Sequence, residues 1–397
     1  MQNKIFKLLS IPIVELFGKA LAFITIILMT HILTIQDMGT YSILITIVMI
    51  SSVFMDGGIN NKIYSSILQE EEEKLNQYYS QKIIFSFLTV SLVSLYSYLN
   101  YDYWVEVSLY IIMTFFVSQI ILFKFIYRAN QDINNDRILI LIDPLFKLFI
   151  ISLIYTLSID ISLKYLIFIF LISSIIEYRI IEKNFHKSYS EIKYKLQTFK
   201  NFFTILKEVK YFILFYFLYI LYQRIDIFFI ENFLNTEQVA VYFSAYTIYV
   251  AIIIFVIALL SSSFPKIKQI SLMKQIFYFK KYLLIYFIFL LLSYYLIPFI
   301  YPLIYPDKYT LGIKVLFWLL CSIPFVFITN LIILNFNFLK LESKNLFPII
   351  TIFCFKIFMF INLEVYFTNI IIFSQIYFVF ESILSIIFLI IYKRTVK

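Results

Sequence analysis

The stretch Arg224–Tyr246, RIDIFFIENFLNTEQVAVYFSAY, decides how the rest of the chain is read. Two apolar runs flank a short polar turn, NTEQ, as at the joint between two membrane-spanning helices. Yet Arg224 and Asp226 stand inside the first run. Two positions apart, they lie about 200° apart around a helix and cannot simply neutralise one another. At least one must face another helix or a water-filled space. A similar pattern, AFITIILMTHILTIQDMGTYSIL, occurs at Ala22–Leu44, near the start of the chain.

The composition supports the membrane reading. The 397 residues are 62% hydrophobic and 14% charged, with 47 Phe and 33 Tyr, and the mean hydropathy is +0.90. Such a chain lacks the polar residues to cover a soluble domain. A spanning helix needs about 20 apolar residues, so a dozen spans would take about 240, which the apolar content provides. The first apolar segment is long and lacks a small-residue cleavage site, which predicts a retained span. Cys321 and Cys354 fall in apolar segments and are expected to be inert, buried thiols. With only two histidines, His31 and His186, no histidine-based metal cluster is expected.

Apolar windows predict helices near 8–33, 40–62, 80–99, 104–127, 138–157 and 162–182, then near 208–233, 239–264, 281–300, 311–334, 346–364 and 369–392. The joints fall into two kinds. TIQD, NYDY, SID, NTEQ, YPDKY and YFTN are short and nearly free of Lys and Arg. RANQDINNDR, EKNFHKSYSEIKYKLQTFK, PKIKQISLMKQ, KLESKN and the terminal YKRTVK are basic. Of the 33 Lys and Arg, only Lys164, Lys308 and Lys314 fall on the first side, while Lys19, Lys147, Arg224 and Lys356 lie within spans. The positive-inside rule therefore places both termini and the basic joints in the cytoplasm, which requires an even number of spans. This one-sided distribution accounts for the net charge of +9 without a nucleic-acid partner.

The basic joint near 183–207 falls almost at the midpoint and predicts two units, residues 1–200 and 201–397. Shifting the sequence by 201 positions places Leu33 on Leu234, Gln36 on Glu237, Gly39 on Ala240 and Tyr41 on Tyr242. Six plus six parallel repeats make a transporter architecture. The expected fold is all-α and polytopic, with about 12 transmembrane helices in two pseudo-symmetric six-helix bundles around a central cavity.

Ionisable residues inside spans cost about 2.5–3.5 kcal/mol each when they face lipid at mid-depth, so most should face a cavity or a partner. Glu15 and Lys19 are four apart on the first span, as are Asp143 and Lys147 on the fifth. Each pair reads equally as a local ion pair. Asp56 stands beside Gly57 and Gly58 at the end of the second span, where it also suits a helix-end hydrogen bond. Glu177 and Arg179 lie on the sixth, Lys356 on the eleventh and Glu381 on the twelfth. Lys19, Lys147, Arg224 and Lys356 are the candidate substrate-binding cations, lining an anion-accepting space. Lysine attracts phosphate as a point charge and arginine as a fork.

Three segments carry a family resemblance: LTIQDMGTYSILITIVMISSVFMDGGINNKI, RIDIFFIENFLNTEQVAVYFSAY and PLIYPDKYTLGIKVLFWLL. By their order and spacing, the chain resembles the polysaccharide-export flippases of the multidrug/oligosaccharidyl-lipid/polysaccharide (MOP) superfamily. Within it, the likeness is to bacterial O-antigen transporters of the Wzx type. Where that family has Gly-x-Tyr-Ser after the outer turn, this chain has Ala240, Val241, Tyr242 and Phe243. The resemblance implies export of an undecaprenyl-pyrophosphate-linked oligosaccharide from the inner to the outer leaflet of the bacterial plasma (inner) membrane by alternating access. A polysaccharide polymerase and a chain-length regulator would be partners beside the membrane lipids. No cofactor is expected beyond a coupling H+ or Na+. Glu15, Asp56, Asp143, Asp226 and Glu381 are the acidic candidates for coupling-ion binding or gating.

Two other classes compete. Polysaccharide polymerases and membrane glycosyltransferases are also polytopic, but the longest outer joint here, near 301–310, is too short for a folded catalytic domain. A drug/cation antiporter of the same superfamily shares the architecture. Its cavity should be dominated by acids, whereas the spans here mix Lys and Arg with them.

Overall fold

The computed structural model describes residues 2–189, 199–339, 341–362 and 367–395, so residues 190–198 of the midpoint joint lie outside it. The described residues form helices joined by short turns, with no strand among them. The first seven are α1 (Gln2–Ile32), α2 (Ile35–Asp56), α3 (Ile59–Leu68), α4 (Glu72–Asn100), α5 (Trp104–Ala129), α6 (Ile133–Thr156) and α7 (Leu163–Ser188). There follow α8 (Phe199–Phe233), α9 (Thr236–Ile267), α10 (Leu272–Tyr278), α11 (Lys280–Ile304), α12 (Gly312–Phe338), α13 (Leu346–Asn362) and α14 (Ile370–Thr395).

Among the described residues, 11 helical stretches are long and apolar enough to cross a membrane, α2 and α3 together forming one of them. The expected sixth span is also a helix, α7, but Lys164, Glu177 and Arg179 make it too charged to qualify on composition alone. The all-α polytopic fold read from the apolar windows is the one observed. Proximity groups the chain into two units, Met1–Leu33 with Ile43–Ile220, and Thr34–Ser42 with Leu221–Lys397. The divide at residues 200/201 remains a reading of the sequence.

In the first unit α1 runs along α6, while α5 packs between α4 and α7. Pro144 inside α6 has no N–H to give the Ile140 carbonyl one turn earlier. Gly18 of α1 lies against that carbonyl, where an added Cβ would stand 3.1 Å from the oxygen. The α2–α3 break is made by Gly57 and Gly58, both left-handed at φ 51° and 75°, a region that L side chains rarely adopt. On this side of the unit, Phe123 stacks on Phe185 at 4.2 Å over the fully buried Ile59, Ile63 and Ile126.

In the second unit α12 packs on α9 and α14, with α11 against α12 and α13 against α14. Gln275 and Asn335 exchange side-chain hydrogen bonds of 3.0 and 2.8 Å, pinning the short α10 to α12. Thr34–Ser42 group here because Gly39 lies directly against the Thr236 backbone. Both cysteines are free, and Cys354 is exposed on α13. This corrects the expectation of burial: an apolar helix face in a membrane protein need not be covered by protein.

Candidate functional site

In the first unit the candidate charges fall in three places. Glu15 on α1 does not pair with Lys19. Its Oε1 accepts from Lys124 Nζ at 3.1 Å and from Arg128 Nη2 at 2.9 Å, both on α5. Arg128 also donates through Nε to the fully buried Asp136 of α6 at 3.0 Å. Three helices are thereby clasped by one guanidinium, and Lys19 is left exposed. Asp56, at the end of α2, pairs at 3.5 Å with Lys82 of α4, whose Nζ donates to Asn60 at 2.8 Å. Lys82 is fully buried. The sequence reading missed it, although it lies inside the expected third span.

The third place holds the expected local pair. Lys147 Nζ stands 2.7 Å from Asp143 Oδ1 and 2.9 Å from Oδ2, and 6.0 Å from the Phe170 ring centre. Nearby on α7 the buried Glu177 accepts from Ser173 Oγ at 2.8 Å through Oε1. Its Oε2 has no hydrogen-bond partner among the described residues.

The second unit gathers its candidate charges at one buried centre. Arg224 and Asp226 leave α8 in different directions, as their angular separation requires. Asp226 takes the Lys356 ammonium of α13, with Nζ at 2.8 Å from Oδ1 and 2.9 Å from Oδ2. That ammonium also donates to the Tyr222 carbonyl at 3.1 Å. It sits over the rings of Tyr222, Tyr377 and Phe360, 4.9, 5.3 and 5.9 Å from their centres. Neither Lys356 nor Asp226 reaches solvent. An ion pair this dry persists only with excellent geometry and further polar contacts, which the carbonyl and the aromatic faces supply.

Arg224 turns to α9, its guanidinium carbon 4.4 Å over the Tyr246 ring. The residue is 8% exposed, and Nη1 has no hydrogen-bond partner among the described residues. Tyr246 belongs to a ladder: Tyr242, Tyr246 and Tyr249 recur on one face of α9, with centroid separations of 6.1 and 5.4 Å. Tyr249 donates to the Tyr377 hydroxyl of α14 at 3.2 Å and accepts from Ser322 of α12 at 3.1 Å. Glu381, one turn beyond Tyr377, is 2% exposed. The Tyr222 and Tyr377 hydroxyls and the Lys356 ammonium face its carboxylate, yet its Oε1 keeps no hydrogen bond of ordinary geometry.

Arg224, Asp226, Lys356 and Glu381 thus meet among the tyrosines of α8, α9 and α14. Chemically the centre offers a buried carboxyl able to exchange a proton through hydroxyls, and a stacked guanidinium with a free N–H for an anion. The sequence reading does not single out the tyrosine cage, because a tyrosine near a span end also suits anchoring at the membrane interface. The signal was there, in the i, i+4, i+7 recurrence of Tyr242, Tyr246 and Tyr249. Among the described residues, no three His, Cys, Asp or Glu gather to hold a metal.

Residues 7–271 match the sequence profile of the family described as "Polysaccharide biosynthesis protein". No curated protein matches the chain in sequence. In fold it is similar to a multidrug resistance MATE family transporter of the MOP superfamily in an inward-facing conformation. The TM-score is 0.66 at 15% identity, covering 96% of this chain and 98% of that one. The Vibrio cholerae MATE transporter VcmN in its bent form aligns with TM-score 0.61 at 14% identity, over 99% and 97% of the two chains. A MOP superfamily transporter from Pyrococcus furiosus, described as having a binding pocket of reversed polarity that suggests a different function, aligns with TM-score 0.62. Its identity is 13%, over 98% of this chain and 95% of that one.

Proposed function

The chain belongs to the polysaccharide biosynthesis protein family, and on that premise we propose that it is a lipid-linked oligosaccharide flippase of the MOP superfamily. Its cargo is an undecaprenyl-pyrophosphate-linked repeat unit of O-antigen or a similar surface polysaccharide. The unit passes from the inner to the outer leaflet of a bacterial plasma membrane by alternating access, with both termini cytoplasmic. A polymerase and a chain-length regulator act on what it delivers.

Arg224 carries this reading. Lys356 and Lys147 each have a carboxylate at salt-bridge distance, so the anion-facing role falls on the cation with an uncommitted N–H. A guanidinium held over the Tyr246 ring is a preorganised fork for phosphate oxygens. Lys19, exposed on α1, is the second cationic candidate. The acidic groups that would couple transport to H+ or Na+ are Asp226 and Glu381, with Glu15, Asp56 and Asp143 in gating roles.

The test is Arg224→Gln in the native host. Surface polysaccharide should be lost at unchanged protein level, with lipid-linked oligosaccharide accumulating in the inner leaflet. Normal polysaccharide would remove Arg224 from the mechanism. A drug/cation antiporter is the second reading, favoured by the buried carboxylates Asp226 and Glu381 and by the likeness to MATE transporters. Deleting the gene should then raise sensitivity to cationic drugs and leave the cell surface unchanged.

A further inference from the structure

The shell around the Lys356 ammonium has the composition of a monovalent-cation site. Two carboxylate oxygens of Asp226 and the Tyr222 carbonyl approach it at 2.8, 2.9 and 3.1 Å. The ring faces of Tyr222, Tyr377 and Phe360 close the remaining directions. Hard oxygens and aromatic faces also serve a free alkali cation. Here the cation arrives on a four-carbon tether from α13.

We propose that Lys356 is the built-in occupant of a monovalent-cation site, and that the second unit therefore loads and releases a proton at Glu381 rather than a metal ion.

The argument is one of charge in a dry space. Glu381 is faced by Lys356 from α13, by Tyr222 and Asp226 from α8, by Tyr246 and Tyr249 from α9, and by Tyr377 from its own helix. A metal ion entering this group would stand beside an ammonium already present, and like charges at such distances repel strongly where water is excluded. A proton neutralises the same carboxylate without adding a second cation. Glu381 Oε1, buried and lacking a hydrogen bond of ordinary geometry, is the atom left to receive it.

The first unit repeats the arrangement. A lysine on α6, Lys147, is held by a carboxylate, Asp143, over an aromatic ring, Phe170. A buried glutamate on α7, Glu177, keeps one oxygen unpartnered among the described residues. Lysine, partner carboxylate, aromatic face and a spare glutamate thus occur once in each unit. The Asp143–Lys147 pair is one turn of a single helix, whereas Asp226 and Lys356 come from two.

The inference concerns only the ion that loads the site and stands whichever cargo is carried. The experiment therefore uses the purified full chain in detergent with no cargo present. Melting is measured in sodium, lithium, potassium and choline chloride at equal ionic strength. The wild type should melt at one temperature in all four. Lys356→Gln should melt lower in choline and recover with sodium or potassium, and Lys356→Gln with Asp226→Asn should lose that recovery. In choline alone, tyrosine fluorescence of the wild type should change with pH, and Glu381→Gln should abolish the change. Sodium stabilisation of the wild type that Asp226→Asn removes would overturn the proposal. So would a Lys356→Gln protein indifferent to cations, or a pH response that needs sodium or survives Glu381→Gln. If Lys356→Gln does not fold, the wild-type and Glu381→Gln measurements decide alone.

Discussion

Arg224 and Asp226 share one turn of α8 yet serve different helices. The guanidinium lies 4.4 Å over the Tyr246 ring of α9, and the carboxylate holds the Lys356 ammonium of α13 at 2.8 Å. One helix thereby presents a paired carboxylate to one neighbour and an unsatisfied cation to another. The two residues should respond differently to substitution.

Lys356→Met strands the Asp226 carboxylate in a dry interior. Removing one partner of a buried pair costs about 3–5 kcal/mol, so the variant should melt far below the wild type in detergent. Lys356→Met combined with Asp226→Asn should recover most of the loss. A single variant as stable as wild type would show that water reaches Asp226.

Arg224→Lys keeps the charge and removes the guanidinium from over the Tyr246 ring. Loss of a desolvated cation–π contact of about 2 kcal/mol should weaken anion capture by more than tenfold, with folding little changed. Comparing surface-polysaccharide yield for Arg224→Lys, Arg224→Gln and Tyr246→Leu checks this, since Tyr246→Leu should fall with Arg224→Lys.

Arg128→Ala removes the partner of Asp136, which is fully buried. It should destabilise the first unit by about 3–5 kcal/mol. Glu15→Gln, whose carboxylate is partly exposed, should cost about 1 kcal/mol or less. Melting curves of the two variants should separate clearly, and equal losses would contradict the clasp.

Gly39→Ala introduces a methyl where the Thr236 backbone already stands. Backbone is the least able to yield, so expression and melting temperature should both fall. Ala240, the position matched to Gly39 by the internal repeat, is already an alanine, so the constraint belongs to the first copy alone.

Apolar windows located each long helix, though not the short α3 and α10, since in lipid a backbone without internal hydrogen bonds is too costly to persist. The same windows could not show which way a helix faces. Helical spacing put Lys19 beside Glu15, because i, i+4 neighbours are all that one helix reveals. The actual partners, Lys124 and Arg128, come from α5, more than a hundred residues away. Asp143–Lys147 was legible because the pair closes on its own helix. Lys82 escaped because it stands in the first turn of the expected third span, where a lysine reads as a solvated helix end, whereas its ammonium turns inward to Asn60. The tyrosine cage escaped for a related reason: a phenol suits an interface and an interior hydrogen bond equally well.

The proline in α6 gives the first unit a particular mechanical character. Pro144 leaves the Ile140 oxygen without its helical donor, and Gly18 brings the α1 backbone down as its cover. In hydrocarbon a bare carbonyl is too expensive to leave open. Any sharper bend of α6 at this point must therefore drag α1 with it, so the two helices move as one jointed beam whose pivot is a missing hydrogen.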